Sequence, residues 1–254
     1  MEPETFSEPV QEEATGARNF FARLGGVFFS PREAFTEIGN APRLVIPLIA
    51  VFLISAFGAW YLIQKVDTLA AMRASQEQAV RQGQITAEQM AMTEAAAGPI
   101  IAVTGGIGAM ILCLAVAGYG RLFSMIVDAK NSFKKLFEVS LYAMIAISVV
   151  STILMIIILQ IRGQGSIDAA NLTSVVASSL GSWIESAAGA GALPEFFMRL
   201  ARAVDVFNIW LIALLSIGFS AVSKNLKTSS AAMYLSGAYI FFTTINAAIR
   251  SMFG

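Results

Sequence analysis

The chain has 254 residues, of which 56% are hydrophobic and only 13% charged. Soluble domains average about 25% charged residues, so this deficit excludes an ordinary water-solvated fold and makes lipid the main solvent. Formal net charge is zero and histidine is absent, which excludes a general attraction to nucleic acid and removes the commonest general base and metal ligand together.

Cys113, the single cysteine, lies within an apolar run. One thiol builds neither a disulfide framework nor a cysteine-rich metal site within a chain, so it reads as a small buried apolar residue. No cofactor and no metal are expected.

Residues 1–16 carry Glu2, Glu4, Glu8, Glu12 and Glu13 with two prolines, and read as a disordered acidic tail. They are acidic where a secretory signal is basic, and no short apolar core with a cleavage site follows. Residues 17–43 read as cytoplasmic interfacial amphipathic helices. In ARNFFARLGGVFF, Phe20, Phe21, Leu24, Val27 and Phe28 recur at helical spacing, with Arg18 and Arg23 elsewhere. Two readings stand: an interfacial helix whose arginines reach lipid headgroups, or a helix packed under the membrane domain.

In the next stretch, FFSPREAFTEIGNAPR, Ser30 is placed to cap a helix and Pro31 suits its first position. Glu33, three residues after Ser30, completes a capping box. Phe35 and Ile38, with Phe28 and Phe29 just before, form an apolar face; Gly39 and Pro42 stop the helix. Phe28, Phe29, Ser30, Pro31, Arg32, Glu33, Phe35, Pro42 and Arg43 are the candidates for contact with the membrane interface or a partner.

Residues 44–63 hold no charge, enough to cross a hydrocarbon core of roughly 30 Å. Arg43 and Lys65 bracket this first span, and Trp60 and Tyr61 sit where an aromatic belt belongs. The extramembrane loop 66–98 reads as two short helices broken at Gly83, with Thr86 and Gln89 as a capping box. Pro99 opens the second span, 99–121, where Gly105, Ala109, Cys113 and Ala117 form a small-residue stripe for helix packing. Arg121 snorkels to the interface, and Lys130, Lys134 and Lys135 make a short basic loop. A third span covers 136–161. The loop 162–204 is the longest and should contain a helix over 167–187 and another from Pro194. The fourth span, 206–222, starts after Asp205, a helix-start residue, and carries Ser216 and Ser220 as a second packing pair. A fifth covers 231–249. The expected fold is all-α: a polytopic helical membrane protein with a five-span domain over 44–254.

Ten of the seventeen Lys and Arg residues fall in the N-terminal segment, the 121–138 region and the 223–230 loop. The other seven are spread over two long loops and the end of the chain, where they influence topology less. This places the N-terminus in the cytoplasm and the C-terminus outside.

On these residues the chain resembles the Yip domain family, five-span membrane proteins named for interaction with Ypt/Rab GTPases, and is most similar to its bacterial branch. The resemblance rests on FFSPREAFTEIGNAPRLVIPLI, WYLIQKVD, QGQITAEQ and DVFNIWLIALLSIGFSAVSK, and covers 28–254. It implies a five-helix domain with a cytoplasmic N-terminus in the inner membrane of a bacterium. In eukaryotic members it implies vesicle traffic and shaping of Golgi and endoplasmic reticulum membranes. It names no catalytic residue.

Function follows the same pattern. The paired amphipathic segments suit a non-enzymatic adaptor, scaffold or membrane-shaping protein, in contact with the bilayer and with other membrane proteins or further copies of itself. The alternative is a small-solute or ion transporter or channel. Its polar span groups would be Ser55, Thr104, Ser148, Ser151, Ser216, Thr243, Thr244 and Asn246, with Asp205 and Asn208 at an entrance. Hydroxyls of this kind more often join helices than line a path. An intramembrane enzyme lacks histidine and paired carboxylates within a span.

Overall fold

Lipid offers backbone groups no water, so a spanning segment must satisfy its own N–H and C=O groups, and the long apolar runs fold as helices. The computed structural model describes residues 20–65, 70–162, 176–189 and 191–253. The acidic tail and residues 17–19 lie outside them. Among the described residues the helices are α1 (Phe20–Phe29), α2 (Pro31–Asn40), α3 (Val45–Lys65), α4 (Ala70–Arg81), α5 (Ala87–Ile126), α6 (Phe133–Arg162), α7 (Leu180–Ala188), α8 (Glu195–Ala203), α9 (Val206–Val222) and α10 (Thr228–Phe253). No strand forms among these residues; there are two isolated β-bridges, Lys130 with Lys224 and Ser179 with Asp205. The fold is all-α, as expected.

Four helices, α3, α5, α6 and α10, are long and apolar enough to cross a membrane. The fifth expected span, α9, is apolar but has 17 residues, a length of about 26 Å.

Two boundaries differ from the sequence reading. Pro99 does not open a helix but lies inside α5, which runs for 40 residues. Ala95 to Ala97 favour helix up to Gly98, and α5 continues past the missing N–H of Pro99. The second boundary concerns the helix expected over 167–187. Residues 167–175 lie outside the described residues, and helix begins only at Leu180. The chain before it pairs with the start of α9: Leu180 N donates to Val204 O at 2.8 Å and Val206 N to Ser178 O at 3.1 Å. Ser179 then caps α7 by accepting from Ser182 N. That pairing holds Ser179 extended where the apolar spacing suggests helix.

Other local signals work as read. Thr86 Oγ1 accepts from Gln89 N at 3.1 Å while Gln89 Oε1 accepts from Thr86 N at 2.8 Å, a complete capping box. Gly83 takes a positive φ of 70° and closes α4, with Gln84 N on Ala79 O and Gly83 N on Val80 O, the Schellman pattern. Asp205 accepts from Phe207 N at 2.8 Å and Asn208 N at 3.3 Å, a helix-start role.

The chain divides into two compact units. The first takes its described residues from Met1–Ala50, Leu112–Ala146 and Leu211–Gly237. Its centre is the first half of α6, where Leu136, Val139, Leu141, Tyr142 and Ile145 are buried. Gly218 of α9 lets Val139 and Phe35 approach, and a Cβ at Gly120 would collide with Phe219. Arg121 turns inward from the expected snorkel: its Nη1 donates to the backbone O and to Oδ1 of Asn131, both at 3.2 Å. Asn131 Nδ2 in turn donates to Ser124 Oγ at 2.6 Å and Ser223 Oγ at 2.7 Å.

The second unit takes Val51–Ile111, Ile147–Trp210 and Ala238–Gly254. There α5 meets α3 closely. A Cβ on Gly105 would lie 2.9 Å from Ala59 Cβ, and one on Gly106 would lie 2.6 Å from the Phe52 ring and 2.9 Å from the Phe52 carbonyl oxygen. Backbone cannot step aside as a side-chain tip can, so Gly106→Ala should cost about 1–3 kcal/mol. Thermal unfolding in detergent checks this, and an unchanged Tm would show that the helices separate freely.

Candidate functional site

The N-terminal pair α1–α2 is the element that the sequence marks for function, and both belong to the first unit. In α1 the buried positions are Phe20, Arg23 and Val27, spaced three and four apart as one helix face requires. Phe21 and Phe29 point away and are 69% and 90% exposed.

Arg23 does not reach for headgroups. Its side chain is 5% exposed and finds three acceptors within the unit. Nε donates to Glu37 Oε1 at 3.1 Å. Nη1 donates to the Ala41 carbonyl at 3.1 Å and reaches Glu138 Oε1 at 3.5 Å. The Ala41 carbonyl follows the C-terminal end of α2, where the helix dipole favours a cation. Phe20 packs on Tyr142, ring centroids 5.6 Å apart. One guanidinium thus ties α1, the end of α2 and α6 together. The buried face of α1 thus packs within the unit, while Phe21 and Phe29 stay outward.

Sequence reasoning missed Glu138. It is an acid two residues inside the apolar run that starts at Leu136, and an ionisable group in such a place is an alarm in itself. Its carboxylate is completely buried, and among the described residues Oε2 has no hydrogen-bond partner.

The α2 candidates separate by face. Phe35 and Ile38 are fully buried, and Phe35 packs at Gly218. In the folded chain Phe35 therefore serves the core and is not offered to lipid or partner. Gly39 does not stop α2 but lies in its last turn, where a Cβ would meet Val222 at 2.8 Å. Ser30 stands at the N-cap but makes no side-chain cap bond. Its N–H is already taken by Gly26 O at 2.7 Å, because α1 runs directly into α2, so the capping box with Glu33 does not form. Pro31 occupies the first helical turn as expected. Arg32, Glu33 and Arg43 are exposed, while Phe28 and Pro42 are half-buried.

The packing candidates fall in both units. Gly105 makes the approach to α3 described above. Ala109 is half-buried, and Cys113 and Ala117 are buried. Cys113 Sγ lies 3.7 Å from Ser140 O. Ser216 Oγ donates to Ile212 O at 2.6 Å, and Ser220 Oγ to Ile217 O at 3.0 Å, with Thr228 Oγ1 2.7 Å away. In the second unit Asn208 Nδ2 donates to Tyr239 Oη at 2.8 Å, and Tyr239 Oη to Ala203 O at 2.8 Å. Asn208 is thereby a tie between helices.

Among the described residues no cluster of three or more His, Cys, Asp or Glu could hold a metal. A family model for the Yip1 domain matches residues 25–249. Neither the curated proteins nor the solved structures compared with it give a match. The match takes in all ten helices except the first residues of α1 and the last of α10, and the chain is a multi-pass membrane protein that belongs to the Yip1 domain family.

Proposed function

We propose that this protein works without catalysis, as a scaffold that shapes the membrane it sits in, and that it belongs to the bacterial branch of its family. It would lie in the cytoplasmic membrane with the N-terminus in the cytoplasm and the C-terminus outside. The distribution of Lys and Arg supports that orientation, with α9 counted as a fifth span.

One observation carries the reading. Arg23 fixes α1 on its own unit, and that leaves Phe21 and Phe29 as outward aromatic rings on a rigid base. A helix of this kind rests at the headgroup–acyl boundary. Each ring moved from water into that layer contributes roughly 1.5–3 kcal/mol. The same rings offer an anchor to other membrane proteins or to a second copy of the chain.

The test is vesicle size and solute or ion flux for purified protein in liposomes, measured on the same samples. Wild type should change vesicle size and carry no saturable flux. The variant Phe21→Glu/Phe29→Glu should lose most of the size change while its Tm stays close to wild type. Full remodelling by that variant would overturn the proposal. Saturable flux that Asn246→Ala abolishes would replace it with transport.

A further inference from the structure

Within the second unit, α8 and α10 flank a groove of about 510 Å³. The bond from Tyr239 to the Ala203 carbonyl holds the two helices at this spacing. Arg199, Arg202, Arg250, Asn246 and Phe242 are among its lining, which includes three guanidinium groups and no carboxylate.

The acidic residues nearby neutralise two of the three guanidiniums and leave Arg250 and N–H donors of Arg199 over. Arg199 pairs with Glu195 through Nη2, and Arg202 pairs with Glu185. A guanidinium has five N–H donors, and a carboxylate engages at most two in parallel. Arg199 Nε is shielded from solvent with no acceptor among the described residues. Arg250 is exposed and forms no ion pair among them. A ligand that suits this arrangement carries several oxygens on one anionic centre, as a phosphate does.

Ala203, Phe242 and Ala247 add apolar lining, and α10 itself is long and apolar enough to cross a bilayer. A free phosphate has no use for that surface, whereas a lipid has a phosphate and acyl chains joined together. Guanidinium groups gathered beside a spanning helix suit an anionic headgroup by this logic, since they bond phosphate oxygens well.

We propose that the α8–α10 groove binds the phosphate of an anionic phospholipid. Arg199 and Arg250 take the phosphate oxygens, Asn246 donates to the headgroup, and the acyl chains run past Phe242 along α10. This goes beyond the scaffold reading and does not depend on it.

The experiment uses full-length protein in a zwitterionic detergent, with thermal unfolding followed against added short-chain phosphatidylglycerol, short-chain phosphatidylcholine or inorganic phosphate. Phosphatidylglycerol should raise Tm well above the effect of the other two, because a ligand of the folded state stabilises it by mass action. Arg250→Gln, a change at an exposed position, should keep the unliganded Tm and weaken phosphatidylglycerol about tenfold. Arg199→Gln/Arg250→Gln should abolish the response. Equal shifts with phosphatidylcholine would overturn the proposal as general lipid solvation. Equal shifts with inorganic phosphate would overturn it in favour of a free anion. An unchanged phosphatidylglycerol response in Arg250→Gln would place any lipid effect elsewhere.

Discussion

Arg23→Ala should destabilise the protein by about 3–5 kcal/mol, the range for a buried ion pair that loses one partner. The size comes from what remains. Glu138 is completely buried, and without Arg23 its carboxylate loses the cation 3.5 Å away and gains no water in exchange. Glu138→Gln should cost much less, because Arg23 keeps Glu37 and the Ala41 carbonyl. The double replacement Arg23→Met/Glu138→Leu should recover most of the loss, since apolar residues of similar volume often replace a buried pair without penalty. Unfolding in detergent, read as a double-mutant cycle, gives the coupling directly. Limited proteolysis adds a local readout: α1 should become cleavable in Arg23→Ala while the spanning helices stay protected. A loss below about 1 kcal/mol would put the pair in the class of surface contacts and sink the idea that it anchors α1.

Phe35→Ala should cost about 3–5 kcal/mol as well, by removing a buried aromatic ring and leaving a cavity. Phe29→Ala, at a 90% exposed position, should stay within about 0.5 kcal/mol of wild type. The contrast is the point of the experiment, because the two phenylalanines stand six residues apart and look alike in sequence. A membrane wedge would show the opposite signature, with stability kept and remodelling lost. If Phe35→Ala left Tm unchanged and Phe29→Ala lowered it, the assignment of faces in α1 and α2 would be reversed.

The features legible in the sequence are those set by neighbours in the chain. Four of the expected spans followed from apolar run length, and the helix break at Gly83 and the Thr86–Gln89 box followed from residues within one or two turns. What sequence could not reveal depends on partners far away. Arg23 and Glu138 are 115 positions apart, and nothing near Arg23 distinguishes it from a residue seeking headgroups. Phe35 belongs to the core because Gly218 admits it, and a sequence pattern alone does not say which helix will lie opposite. Residues 176–179 offered apolar spacing suitable for helix, but the pairing of 178–180 with 204–206 won. Pro99 misled for a different reason. A proline is a strong start signal in water, yet a helix bound for lipid tolerates one in its interior.

The continuity of α5 has a mechanical consequence. Forty residues make a rod of about 60 Å, twice the roughly 30 Å that hydrocarbon occupies. The twelve residues before Pro99, which carry Glu88, Gln89 and Glu94, therefore extend the same helix beyond the apolar run that carries the small-residue stripe. Any protein that grips the polar end is joined through one continuous helix to the face on which Gly105 and Gly106 sit against α3.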